Sequence, residues 1–177
     1  MTTENYFTAF GFEPSFDINL RELSKAYREK QKVSHPDRFA HQEASVQRQA
    51  VQATAHNNEM YETLQSGVKR GNYLLGLNGI EFDLETYTVD DVEMLMNQLK
   101  YREQLNDIKG NKSSDDLFSL QDQVASKQSA ILQDLNELFA DDIATNESAI
   151  KSSLCELQFY DKLAYECELV EEHLMLD

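Results

Sequence analysis

The sequence predicts an all-α protein in two units, an antiparallel helical hairpin followed by an antiparallel three-helix bundle. Only six Gly and two Pro occur in 177 residues, too few for a strand-and-turn architecture. Apolar residues recur at three-, four- and seven-residue spacings, the mark of helix faces. The net charge of −16 is unevenly spread: residues 1–76 carry nine Lys/Arg and nine Asp/Glu, residues 77–177 seven and twenty-three. Such a step in charge marks a boundary between units. An apolar content of 41% suits one ordinary core or two small ones.

The elements follow in order. Tyr6-Phe7-Thr8-Ala9-Phe10, before Gly11 and Pro14, predicts a short first helix or turn whose aromatics wedge into a core. Asp17 or Asn19 offers an N-cap for a helix running to about Ser34, where Pro36 biases the chain out of helical geometry. Leu20, Leu23 and Tyr27 give it a buried face, and Arg21, Lys25, Arg28 and Lys32 line the other. A second long helix is expected from Gln42 to Gln65, with Val51, Ala55, Tyr61 and Leu64 as its stripe and Gly67 ending it. Tyr73, Leu74, Leu75 and Leu77 close this unit or begin the connection, Asn78-Gly79 signals a turn, and the boundary segment, 77–87, is expected as a linker.

Thr88-Val89-Asp90-Asp91 then has the form of an N-cap with an acidic third residue, opening a helix to about Lys109 that Gly110-Asn111-Lys112-Ser113-Ser114 breaks. Leu117, Val124, Ile131 and Leu138 repeat every seven residues in the next helix. Leu157, Tyr160, Ala164, Cys167 and Leu174 form the seam of the last. Three helices joined by short loops make the antiparallel bundle of residues 88–177.

No stretch reaches the length of a membrane span, and the first residues lack the basic and apolar regions of a secretory signal, so a cytoplasmic protein is expected. Surplus negative charge disfavours nucleic acid and anionic lipid as partners. Cys155 and Cys167 lack metal-site spacing and are expected as reduced thiols; no cofactor, metal site or catalytic residue is expected.

The most informative residues are His35-Pro36-Asp37, at the exit of a helix whose Leu20–Ser34 segment carries five cations against Glu22 and Glu29. Pro36 fixes its own φ and restricts His35, so the flanking polar side chains are presented stiffly and lose little entropy on docking. The cationic face speeds encounter with an acidic partner, and Asp37 offers charge-assisted hydrogen bonds. Reading His35 and Asp37 instead as a general base with its orienter, or as metal ligands, finds no completing group: no nearby Cys, no second histidine pair, no phosphate cradle. His41, His56 and His173 are expected on helix surfaces.

Ala26-Tyr27-Arg28, His35-Pro36-Asp37-Arg38-Phe39 and Asn58-Glu59-Met60-Tyr61-Glu62-Thr63-Leu64 together resemble the J-domain pattern of the DnaJ family. Residues 1–76 are then the J-domain, and the resemblance implies that His35, Pro36, Asp37, Arg21, Lys25, Arg28 and Lys32 bind a DnaK-type heat-shock chaperone and accelerate its ATP hydrolysis. Three residues depart from the family pattern. Lys30 stands where a leucine is usual and is expected to snorkel, Ser34 where an aromatic commonly precedes the tripeptide, and Asn57 where an aliphatic is preferred.

The second unit narrows the resemblance, since neither a Gly/Phe-rich tract nor zinc modules follow the J-domain. Met94 through Ile108, with Tyr6-Phe7, Tyr73-Leu74-Leu75 and Phe159-Tyr160-Asp161-Lys162-Leu163, is similar to the HscB family, the J-proteins of iron–sulfur cluster assembly. The partners implied are the chaperone HscA and the iron–sulfur scaffold protein IscU. At roughly 100° per residue, Met94, Gln98, Tyr101, Leu105 and Ile108 cluster within about 40°, and Val92, Leu95, Met96, Leu99 and Glu103 fan around the opposite side. One of these apolar faces is expected to be exposed, unless a larger core or self-association covers both. Phe159 lies roughly 200° from Leu157, off the seam, and is expected to face outward with Cys155. The resemblance carries scaffold binding to Leu95, Met96, Leu99, Glu103, Asp107 and Phe159; Lys100 departs from an expected acidic residue. A competing reading is a plain helical interaction module or holdase in which the His-Pro-Asp loop is idle.

Overall fold

Asn5 starts the chain's first helix, α1 (Tyr6–Ala9). Its side chain accepts the Thr8 N–H at 3.0 Å while Thr8 Oγ1 accepts the Asn5 N–H at 3.0 Å, so two backbone donors without helical partners are satisfied reciprocally. Gly11, at φ +81, turns the chain out of α1 through a left-handed conformation that costs glycine little. This computed structural model describes residues 5–39, 41–87 and 92–176, and those residues hold seven α-helices and no strand. The chain divides into two units, Met1–Ile80 and Glu81–Asp177.

In the first unit Asn19 caps α2 (Leu20–Ser34), accepting from Arg21 N and Glu22 N. A 3-10 turn (Pro36–Phe39) leads to α3 (Ala44–Gln65). Ser66 ends α3 and caps α4 (Gly67–Leu77), its hydroxyl accepting from Lys69 N. Gly67 is therefore the first residue of another helix rather than a terminator, because the Ser66 side chain restarts the helix at once. Phe7, Phe16, Leu23, Leu64 and Leu75 are fully buried and form the core. Tyr6 stacks on Tyr73 with centroids 4.4 Å apart, pinning α1 to α4.

Two expected stripes shift. On α2, Leu23 is buried but Leu20 is exposed; on α3 the buried residues are Ala50, Asn57, Met60 and Leu64, whereas Val51 and Ala55 face water. The seam between α2 and α3 near the corner is largely polar. Tyr27 stacks on Tyr61 at 4.0 Å, Ser24 Oγ meets the Tyr61 hydroxyl at 3.0 Å, and Asn58 Oδ1 accepts from the Tyr27 hydroxyl and Gln31 Nε2. Arg70 is buried yet charged. Its Nε donates to Phe16 O at 2.8 Å, its Nη1 to Leu64 O at 2.6 Å, and its guanidinium lies over the Phe16 ring. Burial pulls its pKa down to about 10, which leaves it cationic at neutral pH.

The second unit contains α5 (Val92–Asn111), α6 (Ser114–Ala140) and α7 (Ile143–Leu176). The N-cap expected at residues 88–91 lies outside the described residues. The expected break after Lys109 is shorter than five residues: Gly110 stays helical, Lys112 takes φ +51, and Ser113 caps α6 by accepting Asp116 N. Leu105 and Ile108 of α5, Leu117, Leu120, Val124, Ile131 and Leu135 of α6, and Ile150, Leu154, Leu157 and Leu163 of α7 are all buried, and the three helices pack on one another. Leu138, expected in that seam, is half-buried.

Candidate functional site

The first candidate site is the corner after α2. His35 has φ −58 and ψ 128, the extended geometry that a following proline imposes. The Asp37 N–H donates to His35 Nδ1 at 3.3 Å, and the two side chains approach to 3.5 Å. His35 Nδ1 thus faces both the backbone N–H and the carboxylate of Asp37, two contacts that tie the imidazole to the turn. The Asp37 side chain is 90% exposed, which makes it available for contact and supplies nothing to packing.

Arg21, Lys25, Arg28 and Lys32 are all exposed on α2. Lys32 pairs with Glu29 at 2.7 Å, and that hydrogen bond holds the Glu29 carboxyl below its usual range. Arg28 Nε turns back to Ser24 O at 3.2 Å. Lys30 is half-buried, its ammonium 5.5 Å from the centroid of the Phe10 ring, a cation–π contact that takes the place of a packed aliphatic.

The second candidate site is the outer face of α5. Leu95, Met96 and Leu99 are 55%, 61% and 51% exposed, and Glu103 and Asp107 continue the same helix in water. Met94, Gln98 and Tyr101 are half-buried and Leu105 and Ile108 buried, so the division of this helix into two faces is as the sequence predicts. Lys100 is exposed.

Phe159 is a correction. It is 7% exposed, its ring edge-on to Tyr160 at 5.2 Å and covered by the Arg102 guanidinium of α5 at 5.9 Å. The physical reason is that α7 packs against both α5 and α6: at 100° per residue its buried positions span roughly 220°, wider than one seam. Cys155 is half-buried, and burial raises its thiol pKa. Tyr101 meets Tyr160 edge-on at 5.6 Å, and burial raises the Tyr160 pKa.

Sequence reasoning did not find Thr54, and it quoted Arg38 only as part of the motif without its contact; both lie beside the corner. Arg38 Nη1 donates to Lys32 O at 2.9 Å and Thr54 Oγ1 to Ser34 O at 3.0 Å. No sequence signal marks Thr54, since its partner is twenty residues away. Among the described residues no cluster of three or more His, Cys, Asp or Glu is placed to hold a metal ion, and no helix is long and apolar enough to cross a membrane.

Comparison with known proteins adds a family. A model described as the HSCB C-terminal oligomerisation domain matches residues 90–168. The chain is 36% identical to a co-chaperone protein HscB homolog of Colwellia psychrerythraea, covering 98% of this chain and 99% of that protein. It is 36% identical to the corresponding homolog of Shewanella denitrificans, covering 97% and 99%. Among solved structures it is similar to chaperone HscB from Vibrio cholerae, with TM-score 0.80 and 32% identity over 97% of this chain and 99% of that one. Its fold also matches human co-chaperone protein HscB, with TM-score 0.81 and 22% identity over 96% and 83%.

Proposed function

The chain belongs to the HscB co-chaperone family, and from that membership we propose that it stimulates the ATPase of a specialised DnaK-type chaperone, HscA, and delivers to it the iron–sulfur scaffold protein, IscU. In this reading the first unit grips the chaperone through His35, Pro36 and Asp37, with Arg21, Lys25, Arg28 and Lys32 steering the encounter. The second unit holds the scaffold on Leu95, Met96 and Leu99, rimmed by Glu103 and Asp107. Phe159 contributes from beneath, by fixing α7 against the inner side of α5.

The observation that carries the proposal is the coexistence, in one chain, of a corner with exposed His35 and Asp37 side chains and an apolar strip on α5 that its own bundle leaves uncovered. An apolar centre with a polar rim is the usual layout of a protein–protein interface. Carrying both sites on one chain raises the effective concentration of client at the chaperone, so delivery and ATP hydrolysis coincide. Acceleration requires that the corner favour the chaperone's hydrolysis transition state over its ATP-bound ground state. The chaperone's tight state then selects one scaffold conformation and eases cluster release.

Chaperone ATP turnover, measured with and without this protein, and calorimetric titration of the scaffold test the proposal together. His35→Gln is expected to abolish stimulation and keep scaffold affinity. Leu99→Ala is expected to weaken scaffold binding about tenfold and keep stimulation by the free chain. Equal loss of both activities in either variant rejects the division of labour. The matched model's description as an oligomerisation domain favours one second reading, in which another copy covers the α5 strip; sedimentation that shows a dimer broken by Leu99→Ala selects it.

A further inference from the structure

The residue that enters the corner is held from both sides. Ser34 is the last residue of α2, so its carbonyl and those of the preceding turn have no intrahelical partner. Two of these are capped by side chains that come later in the chain: Arg38 Nη1 donates to Lys32 O at 2.9 Å and Thr54 Oγ1 to Ser34 O at 3.0 Å. A third link runs through the Ser34 side chain. Asn57 Nδ2 donates to Ser34 Oγ at 3.2 Å, and that hydroxyl donates onward to Lys30 O at 3.0 Å. Thr54 and Asn57 lie three residues apart on α3, hence on one face. Asn57 is 9% exposed, so its amide depends on a protein partner rather than water.

Ser34 and Asn57 therefore compensate each other. Each departs from the J-domain pattern, and the two polar side chains bond across the α2–α3 seam. His35, Pro36 and Asp37 form the short span between Ser34, anchored by α3, and Arg38, anchored to α2. A corner held this way is already in one arrangement before a partner arrives.

We infer that Thr54, Asn57 and Arg38 are positioning residues that pre-set the His35–Asp37 corner for the chaperone. The inference deepens the function proposed above and rests on it for its partner. A corner that spends only a fraction of its time in the competent arrangement binds more weakly by that fraction, while the complex once formed is unchanged. Loss of one cap thus raises the concentration needed for half-maximal ATPase stimulation and preserves stimulation at saturation. Loss of His35, which touches the partner, removes stimulation at any concentration.

Thr54→Val keeps the shape and removes the donor; Thr54→Ser keeps the donor. Hydrogen exchange at the Asp37 and Arg38 amides, which bond His35 Nδ1 at 3.3 Å and His35 O at 3.1 Å, reads the corner with no partner present. The expected result is exchange about three- to tenfold faster in Thr54→Val and parental exchange in Thr54→Ser. In chaperone titrations Thr54→Val raises the half-saturating concentration by a similar factor at an unchanged plateau. Parental exchange in Thr54→Val, or equally fast exchange in Thr54→Ser, overturns the inference, as does a lowered plateau at an unchanged half-saturating concentration. Exchange that behaves as expected in a protein that stimulates no DnaK-class chaperone upholds the positioning and removes the function instead.

Discussion

The Arg102 guanidinium of α5 lies 5.9 Å from the centroid of the Phe159 ring of α7, and Arg102 also approaches Glu166 of α7 at 4.0 Å. One cation thus links the two helices: it lies over the Phe159 ring and reaches a carboxylate two turns further along α7. Phe159 is therefore part of the support beneath the α5 strip, and Leu99 is part of the strip itself.

That difference in burial separates two substitutions. Phe159→Ala is expected to cost about 3 kcal/mol of bundle stability, through lost burial and the cavity left behind. Leu99→Ala, at a half-solvated surface position, is expected to stay within about 0.5 kcal/mol. Urea denaturation followed by far-ultraviolet circular dichroism compares them directly. Equal midpoints for the two variants, with Phe159→Ala still as stable as the parent, would put the ring at the surface.

Arg70 gives a prediction for the first unit. Its guanidinium satisfies Phe16 O and Leu64 O in a site where little water reaches. Arg70→Met keeps the length and apolar stem and strands both carbonyls, so a loss of about 3 kcal/mol is expected. For a unit of this size that is a large share of the total. The melting of residues 1–80 is expected to fall well below that of the bundle, which Arg70→Met leaves alone; a variant as stable as its parent refutes the assignment.

The thiols should differ in reactivity with pH. Burial raises both pKa values, that of Cys167 to about 11, with Glu166 adding to the effect. The thiolate is the reactive form, so at pH 8 about one Cys167 in a thousand is ionised and each further pH unit raises its rate about tenfold, until the pKa is reached. Cys155, only half-buried, is expected to alkylate first, and Cys167 at an appreciable rate only in denaturant. Mass spectrometry of iodoacetamide-treated protein reads the order, and prior modification of Cys167 in the folded chain contradicts it.

Much of this was visible from the residue order because the signals are local. The N-cap of α2 at one of Asp17 and Asn19, the restriction that Pro36 places on His35, and the two opposite faces of α5 depend on neighbours within one or two turns. Period separates Leu95, Met96 and Leu99 from Leu105 and Ile108, whereas packing decides that the second set is the buried one. Gly67 was misread for a local reason of its own: a glycine after a helix fits a terminator, but Ser66 beside it serves as the cap of the next helix.

Residue order alone specifies the long helices α2, α3, α5, α6 and α7, the stiff corner and the apolar composition of each face, but not α4, whose Ser66 cap follows directly on the end of α3. The tertiary structure alone decided which of those faces meets a second neighbour. That is why Phe159 turned inward, where α7 is wedged between two partners, and why Val51 and Ala55 turned out, where the stripe on α3 is chosen by α2 and α4 together. It also decided that Ser34 and Asn57 belong to one hydrogen bond, because a polar pair twenty-three residues apart acquires its meaning only when two helices bring it within 3.2 Å. Periodicity specifies a direction around one helix axis, whereas burial depends on what other axes stand in that direction.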